Sequence, residues 1–517
     1  MAFTYLTFAT AAFAILSVLL IAARIQDYVS LKHIPGPSAA RWTDLWMIRA
    51  QLSGRMQLIL REQDLRYGGK MLLPQQVGMV PHNDAGKLLR IAPKWVVCND
   101  PAEIRKIWGV RTQWQRPDWY RGLRVDPYRD NSFSTIDDQR HETLRSKIAP
   151  GYAGKDVDKL QELVDEQVAE LINLLESRYL SSKEEFKPVD FASKVPFFTL
   201  DVISSLAFGK PFGHLKADAD IFRWLEMVEK TVPFMLTVAL MPWVLDILQS
   251  KRMRSFLPDA RNIQGIGTVM HIGHSVVAER YQAHAPVQRD MIGSFIAHGL
   301  SQEDCEGESL VQILAGSDTS ATAIRSTILF LMTNPLAYHR FQEEIDEAVA
   351  NGKISSPITN AEAQNFAYLQ AVIREGLRLW PPASGLLPKM SKKDEVVCGV
   401  SIPAGTHVAW NPWSVMRDRE VFGQDAELFR PDRWLDAPEE QGRLMDLTIM
   451  MAFKGGSKWE CLGKNIAFLE LNKIYVELLR RFDFTLIDPT NPWKVWNAAV
   501  SIQTDMFVKI TRRAARS

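Results

Sequence analysis

Phe453-Lys454-Gly455-Gly456-Ser457-Lys458-Trp459-Glu460-Cys461-Leu462-Gly463 sets three glycines around a single cysteine. Glycines at 455, 456 and 463 allow tight turns and a close approach of backbone to a flat ligand. Just beyond, Ile466, Leu469, Ile474, Leu478 and Phe482 recur at helical spacing, so 464–482 is expected to be a helix. Cys461 then stands before a helix N-terminus, where the dipole and unpaired N–H groups favour a thiolate. Two uses fit such a cysteine. It is either an iron ligand, since thiolate ligation of haem promotes O–O cleavage, or a buried and inert side chain.

A second element lies upstream. Ala315-Gly316-Ser317-Asp318-Thr319-Ser320 interrupts a helical stretch from about Glu303 to Thr333, with Ser301 and Asp304 as its capping box. An Asp-Thr pair inside an apolar helix is costly, because both side chains compete with the backbone and neither suits a core. Gly316 weakens the helix by about 1 kcal/mol relative to alanine. Either a kink there opens a polar pocket for oxygen and water, or the face is exposed and Thr319 bonds its own i−4 carbonyl. A third element is Glu375-Gly376-Leu377-Arg378, with acid and base on one helix face. Alone it reads as a solvated pair worth under about 1 kcal/mol. Arg433, in Phe429-Arg430-Pro431-Asp432-Arg433-Trp434, offers the same carboxylate a second guanidinium.

Around these elements the chain reads as mainly α with a minor β part. Its 517 residues carry 61 Lys+Arg against 60 Asp+Glu, a net charge of +1, which excludes a polybasic nucleic-acid binder. With 46% hydrophobic residues it can bury a large core, and no linker or repeat divides it. The 4 cysteines (Cys98, Cys305, Cys398, Cys461) are too few for a disulfide scaffold and form no CxxC pair. Phe3 to Ala23 is uncharged and long enough to span a bilayer. A cleavable signal peptide is the rival, but no basic residue precedes the run. Arg24, Lys32 and Arg41 follow it, so the remaining chain stays cytosolic by the positive-inside rule. The expected divisions are an anchor over 1–24, a proline-rich hinge over 25–40 containing Pro35-Gly36-Pro37, and one large domain over 41–517.

A hairpin is expected over 88–99, two strands around Pro403-Ala404-Gly405 within 396–410, and a strand over 500–511. Residues 160–180 and 324–349 carry helical spacing, the latter broken at Asn334-Pro335. The uncharged run 232–245, interrupted by Pro233 and Pro242, is either a buried helix pair or a surface that dips into a membrane or admits an apolar ligand.

In order and spacing these elements resemble the cytochrome P-450 family of haem-thiolate monooxygenases, in their membrane-anchored filamentous-fungal, pisatin-demethylase-like form. Asp201-Val202-Ile203 with Phe208-Gly209-Lys210-Pro211-Phe212-Gly213, and Cys461-Leu462-Gly463-Lys464-Asn465-Ile466-Ala467, carry the fungal likeness. The resemblance implies the cytochrome P-450 fold, with one large haem domain behind a transmembrane helix. It makes Cys461 the proximal ligand of haem b in a loop with Phe453 and Gly456. Thr319 hydrogen-bonds dioxygen, and Asp318 helps to supply protons. Glu375, Arg378 and Arg433 form a structural lock behind the loop. His141 and Arg145 contact the haem propionates, with Lys458 as a further partner.

This chain departs from the family at three points. Phe453 and Cys461 are eight positions apart instead of seven, which leaves the loop register around Trp459-Glu460 open. Lys458 replaces the usual Arg, and His141 the usual Trp. The resemblance further implies a separate NADPH-dependent flavoprotein reductase, with cytochrome b5 as another donor, and single-pass residence in the endoplasmic reticulum membrane with a cytosolic catalytic domain. Lys454, Lys458, Lys464 and Lys473 either form a reductase-docking patch or are only solvated surface. The expected pocket is lined by residues before Gly316, by 383–387, 110–133 and 500–503. The substrate is then an apolar terpenoid, polyketide or alkaloid scaffold of fungal secondary metabolism. A haem-thiolate isomerase or coupling enzyme, and a non-catalytic haem protein, are the rival functions.

Overall fold

The computed structural model describes residues 2–67, 87–253, 257, 266–497 and 499–513. Two compact units emerge, Met1–Pro117 with Leu386–Val415, and Asp118–Gly385 with Met416–Ser517.

In the first unit a four-stranded sheet runs in the order Leu88–Ala92, Trp95–Cys98, His407–Trp410, Lys389–Met390. The expected hairpin over 88–99 is present, antiparallel around Pro93-Lys94. The two strands expected around Pro403-Ala404-Gly405 are present as Val400–Ile402 and His407–Trp410, but residues 395–402 add a pairing that was not expected. They form a separate hairpin, Glu395–Val397 against Val400–Ile402, because Cys398 and Gly399 both adopt positive φ and turn the chain. The N-terminal helix, Ala2–Ser30, continues past the expected boundary at residue 24. Its window Phe13–Ser30 has mean hydropathy 1.5 and none of it is buried. Arg90, fully buried in the first strand, donates to the Asp27 and Tyr28 carbonyls at 2.8 and 3.2 Å. It thereby satisfies acceptors that a helix C-terminus leaves unpaired. With Leu31, Ile34 and Ala40 also buried, the proline-rich segment is packed against its own unit.

The second unit is mainly helical, as the sequence pattern implies. Its centre is Gln302–Met332, packed along Phe191–Phe208. Phe191–Phe208 is as apolar as a membrane span but 94% buried, so it is a core helix. Ser301 caps Gln302–Met332, its hydroxyl accepting from Asp304 N. Leu160–Leu174 and Ala367–Leu379 flank the helix Lys464–Leu479. Chain 500–511 forms two strands instead of one, Ser501–Thr504 and Phe507–Arg512, broken where Asp505 takes positive φ. The run 232–245 lies in two helices, Trp224–Ala239 and Pro242–Leu248, bent by 115°. Its two faces differ. Val232, Leu236 and Leu245 are buried, whereas Phe234, Trp243 and Ile247 are exposed.

Candidate active site around Cys461

All the expected site residues lie in the second unit. The cysteine loop is a succession of tight turns. Gly455 N donates to Met450 O at 2.9 Å, and Ser457 Oγ donates to Lys454 O at 2.7 Å. Cys461 N donates to Phe453 O at 2.8 Å, which closes the loop on its two end residues. Gly456 has φ 74° with open space where a Cβ would stand, so that face of the turn is flat. The additional residue of the loop is absorbed by Trp459. Its indole is buried and packs against the His141 ring, with centroids 3.5 Å apart.

Gly463 caps the helix Lys464–Leu479, as expected for a cysteine just before a helix N-terminus. Cys461 is exposed on one side yet closely surrounded by protein elsewhere. Burial pushes its thiol up. The Gly463 and Lys464 amides and the charges of Lys454 and Arg145 push the other way. Backbone amides and cations around a sulfur with one open face, beside a turn with no Cβ, suit a thiolate holding a flat metal macrocycle. The residues present therefore fit haem.

Arg145 Nη1 donates to Glu460 O at 2.6 Å, which ties the helix Asp138–Tyr152 to the cysteine loop. Lys458 is paired with Asp138 on the same helix. The docking patch does not assemble as four free cations. Lys473 is fully buried, donating to Asp165 Oδ1 at 2.7 Å and Ile358 O at 2.6 Å. Lys464 is held by Glu460 at 2.5 Å. The helical period decides this: Lys473 falls on the packed face of its helix.

Glu375 and Arg378 are not a surface pair. Both are 0% exposed and Arg433 is 2% exposed. The Glu375 carboxylate accepts from Arg378 Nε and Nη2 at 2.8 and 2.7 Å. It also accepts from Arg433 Nε, Arg430 N and Trp434 Nε1, each at 2.9 Å. Burial alone would raise this carboxyl. The charges of Arg378 and Arg433 outweigh it and hold the group below its ordinary range. The guanidiniums in turn bind the Met416, Ala426, Leu428 and Asp425 carbonyls, so one carboxylate fixes a long irregular segment.

On the long helix Gly316 makes no break. A Cβ there would lie 2.9 Å from Ile203 Cγ1, so this glycine permits close helix packing instead of the expected kink. Thr319 Oγ1 donates to Ala315 O at 2.7 Å, the i−4 carbonyl bond that was the alternative to a kinked, polar pocket. Ala315 is exposed, and Asp318 and Thr319 are half-buried, within a helix whose following turns are buried. Burial raises the Asp318 carboxyl to about 6, opposed by the charge of Arg325. Arg325 is itself buried and lowered to about 10, and it donates to Ala192 O and Gln503 O.

Three carboxyl-bearing or cationic residues escaped the sequence reading. Arg325 was visible as the lone cation in an apolar run. Glu308, raised by burial to about 7, accepts from Ser132 N and Oγ at 2.6 and 2.7 Å. Glu470, raised by burial to about 8, lies within reach of Ser320. It was visible as the one acid in Ile466-Ala467-Phe468-Leu469-Glu470-Leu471.

A family model described as Cytochrome P-450 matches residues 97–509. Cytochrome P-450 monooxygenase ABA1 of Pyricularia oryzae (strain 70-15) is 38% identical over 506 residues, covering 97% of this chain and 96% of that protein. Cytochrome P-450 monooxygenase aba1 of Botryotinia fuckeliana (strain B05.10) is 37% identical over 486 residues, 93% and 92% of the two chains. Cytochrome P-450 monooxygenase abl1 of Leptosphaeria maculans is 34% identical over 480 residues, 91% of this chain and 81% of that one. The match to the family spans most of the unit that carries the cysteine loop, the buried carboxylate cluster and the Asp318-Thr319 turn. This chain therefore belongs to the cytochrome P-450 family and is a haem-thiolate monooxygenase.

Proposed function

We propose that Cys461 is the axial ligand of haem b and that the Asp318-Thr319 turn governs proton delivery during oxidation of an apolar organic substrate. Haem, when bound, supplies the activation of dioxygen by two electrons; the protein supplies position and protons. The observation that carries the reading is the cysteine loop, where Cys461 has one open face and stands among the Gly463 and Lys464 amides and the charges of Lys454 and Arg145. Thr319 Oγ1 donates to Ala315 O, so its single proton reaches a bound ligand only when that i−4 bond opens. Asp318, near half-ionised at about pH 6, both takes up and releases a proton close to neutrality. Phe453 and Gly456 would frame the macrocycle, and Glu375, Arg378 and Arg433 keep the segment behind the cysteine loop rigid. Arg145 and His141 would hold the propionates. Lys458 acts on them indirectly, through Asp138.

Val125, Trp224, Met227, Val232, Leu310 and Leu314 line a cavity of about 10 Å³ beside the long helix, too small for a substrate as it stands but apolar in its walls. Of the buried carboxylates on that helix, Glu308 is satisfied by Ser132 and Glu306 is paired with Arg129. A terpenoid, polyketide or alkaloid of fungal secondary metabolism suits such walls. Electrons come from an NADPH-dependent flavoprotein reductase, with cytochrome b5 as a second donor, at the endoplasmic reticulum membrane that the N-terminal helix crosses once. The test is turnover with reductase and NADPH on the substrate that displaces water from the iron. Thr319→Ala should lower product and raise peroxide per NADPH consumed, whereas Thr319→Ser should keep coupling. Equal coupling in wild type and Thr319→Ala would overturn the role of this turn and favour an isomerase.

A further inference from the structure

Two of the four cysteines meet far from Cys461 in sequence, within the first unit. Cys98 ends the strand Trp95–Cys98, fully buried and held in register with Leu88 and Trp410. Cys398 is half-buried at the turn of the hairpin Glu395–Val397/Val400–Ile402, which pairs only with itself among the described residues. Their sulfurs are 3.9 Å apart. A disulfide needs about 2.05 Å, so closure asks for an approach of about 2 Å. Cys98 is fixed in the sheet, so the approach has to come from the turn that carries Cys398. Cys398 and Gly399 have φ 49° and 72°, the geometry of a two-residue hairpin turn. Glycine, asparagine and aspartate favour the first of these positions, and cysteine does not. The turn conformation therefore gives no reason for a cysteine here, whereas the opposed thiol does.

We propose that Cys98 and Cys398 are a thiol pair that hydrogen peroxide converts into a reversible intrachain disulfide. The accessible Cys398 thiolate attacks one oxygen of peroxide, and the O–O bond breaks. This leaves a sulfenic acid, with hydroxide that departs as water after taking a proton. The Cys98 sulfur then attacks the sulfenic sulfur, the S–S bond forms and the S–O bond breaks. The Cys98 proton leaves with the second water. Two thiols lose two electrons, and one peroxide becomes two waters. Peroxide arises at this enzyme whenever electrons reach dioxygen without reaching substrate. The hydrogen bond to Cys398, followed by burial, pushes the Cys98 thiol well up, so Cys98 stays neutral until its partner has reacted. Transient disulfides of this kind are the sort that a reducing compartment allows.

The experiment exposes full-length, haem-loaded protein to a few equivalents of hydrogen peroxide, blocks free thiols with iodoacetamide and digests without reductant. The expected product is one cross-linked peptide joining residues 98 and 398, lost on adding dithiothreitol and absent from Cys398→Ser. In Cys98→Ser, Cys398 should accumulate sulfinic acid several-fold faster than in wild type. Full alkylation of both cysteines after peroxide would overturn the proposal. So would equal sulfinic acid formation at Cys398 in wild type and Cys98→Ser. Cys398→Ser changes a half-buried turn residue and remains informative if the buried Cys98 variant does not fold.

Discussion

Two acid–base clusters in the same unit treat charge in opposite ways. Glu375 is surrounded by five donors, each 2.7–2.9 Å away, and is held ionised despite complete burial. Asp318 and Arg325 share one helix, seven positions apart, and are pulled toward neutrality instead, to about 6 and about 10. A charge that is fully hydrogen-bonded serves as a fixed strut. A charge that is felt at a distance but not bonded is left able to titrate. The first arrangement suits a scaffold behind a ligand loop, and the second a site that must exchange protons near neutral pH.

The contrast can be broken most severely at the strut. Glu375→Ala leaves two buried guanidiniums without their carboxylate, a loss of about 3–5 kcal/mol from a total of roughly 5–15. Haem content and the unfolding midpoint should both collapse. Retention of both within experimental error would remove the strut interpretation. At the titrating site, Asp318→Asn should keep haem and fold but lower product formation by about 10²-fold, measured as turnover with reductase. Removing the cation is subtler. Arg325 favours the ionised form of Asp318, so Arg325→Met should raise the pH midpoint of coupling by about one unit, with Arg325→Lys close to wild type. An unmoved midpoint would separate Arg325 from the proton path.

The smallest effect is on stability. Glu308 and Glu470 have raised native carboxyls, about 7 and about 8 against an ordinary 4.5. The native state therefore binds more protons than the unfolded state above pH 4.5. Their contribution is complete below that value and is lost as pH rises through 7 and 8. Glu308→Gln and Glu470→Gln imitate the neutral acid. Each should flatten the decline of the unfolding midpoint between pH 5 and 8 by a few degrees, as scanning calorimetry would record.

Much of the site was legible because its chemistry is carried by spacing along the chain. Cys461 before a helix, Asp318-Thr319 inside one, and Glu375 one turn from Arg378 all follow from local sequence. What was not legible depends on which face meets a neighbour. Lys473 reads as a surface cation and is buried on Asp165. Gly316 reads as a kink and instead admits Ile203. The hairpin at Cys398-Gly399 was hidden because the turn uses a cysteine where asparagine or aspartate is usual. The eight-residue spacing of the loop had no evident compensation until Trp459 was found packed on His141. That contact joins residues far apart in the chain, and no local pattern announces it.

Thiolate ligation by Cys461 is the claim on which the rest stands, and one spectrum addresses it. Reduced, haem-loaded protein saturated with carbon monoxide should show the strongly red-shifted Soret band of a thiolate-ligated haem, and Cys461→Ser should lose it. A histidine-type or neutral-thiol Soret band in the wild-type protein would contradict the account, because the cysteine loop would then not hold the iron through its sulfur.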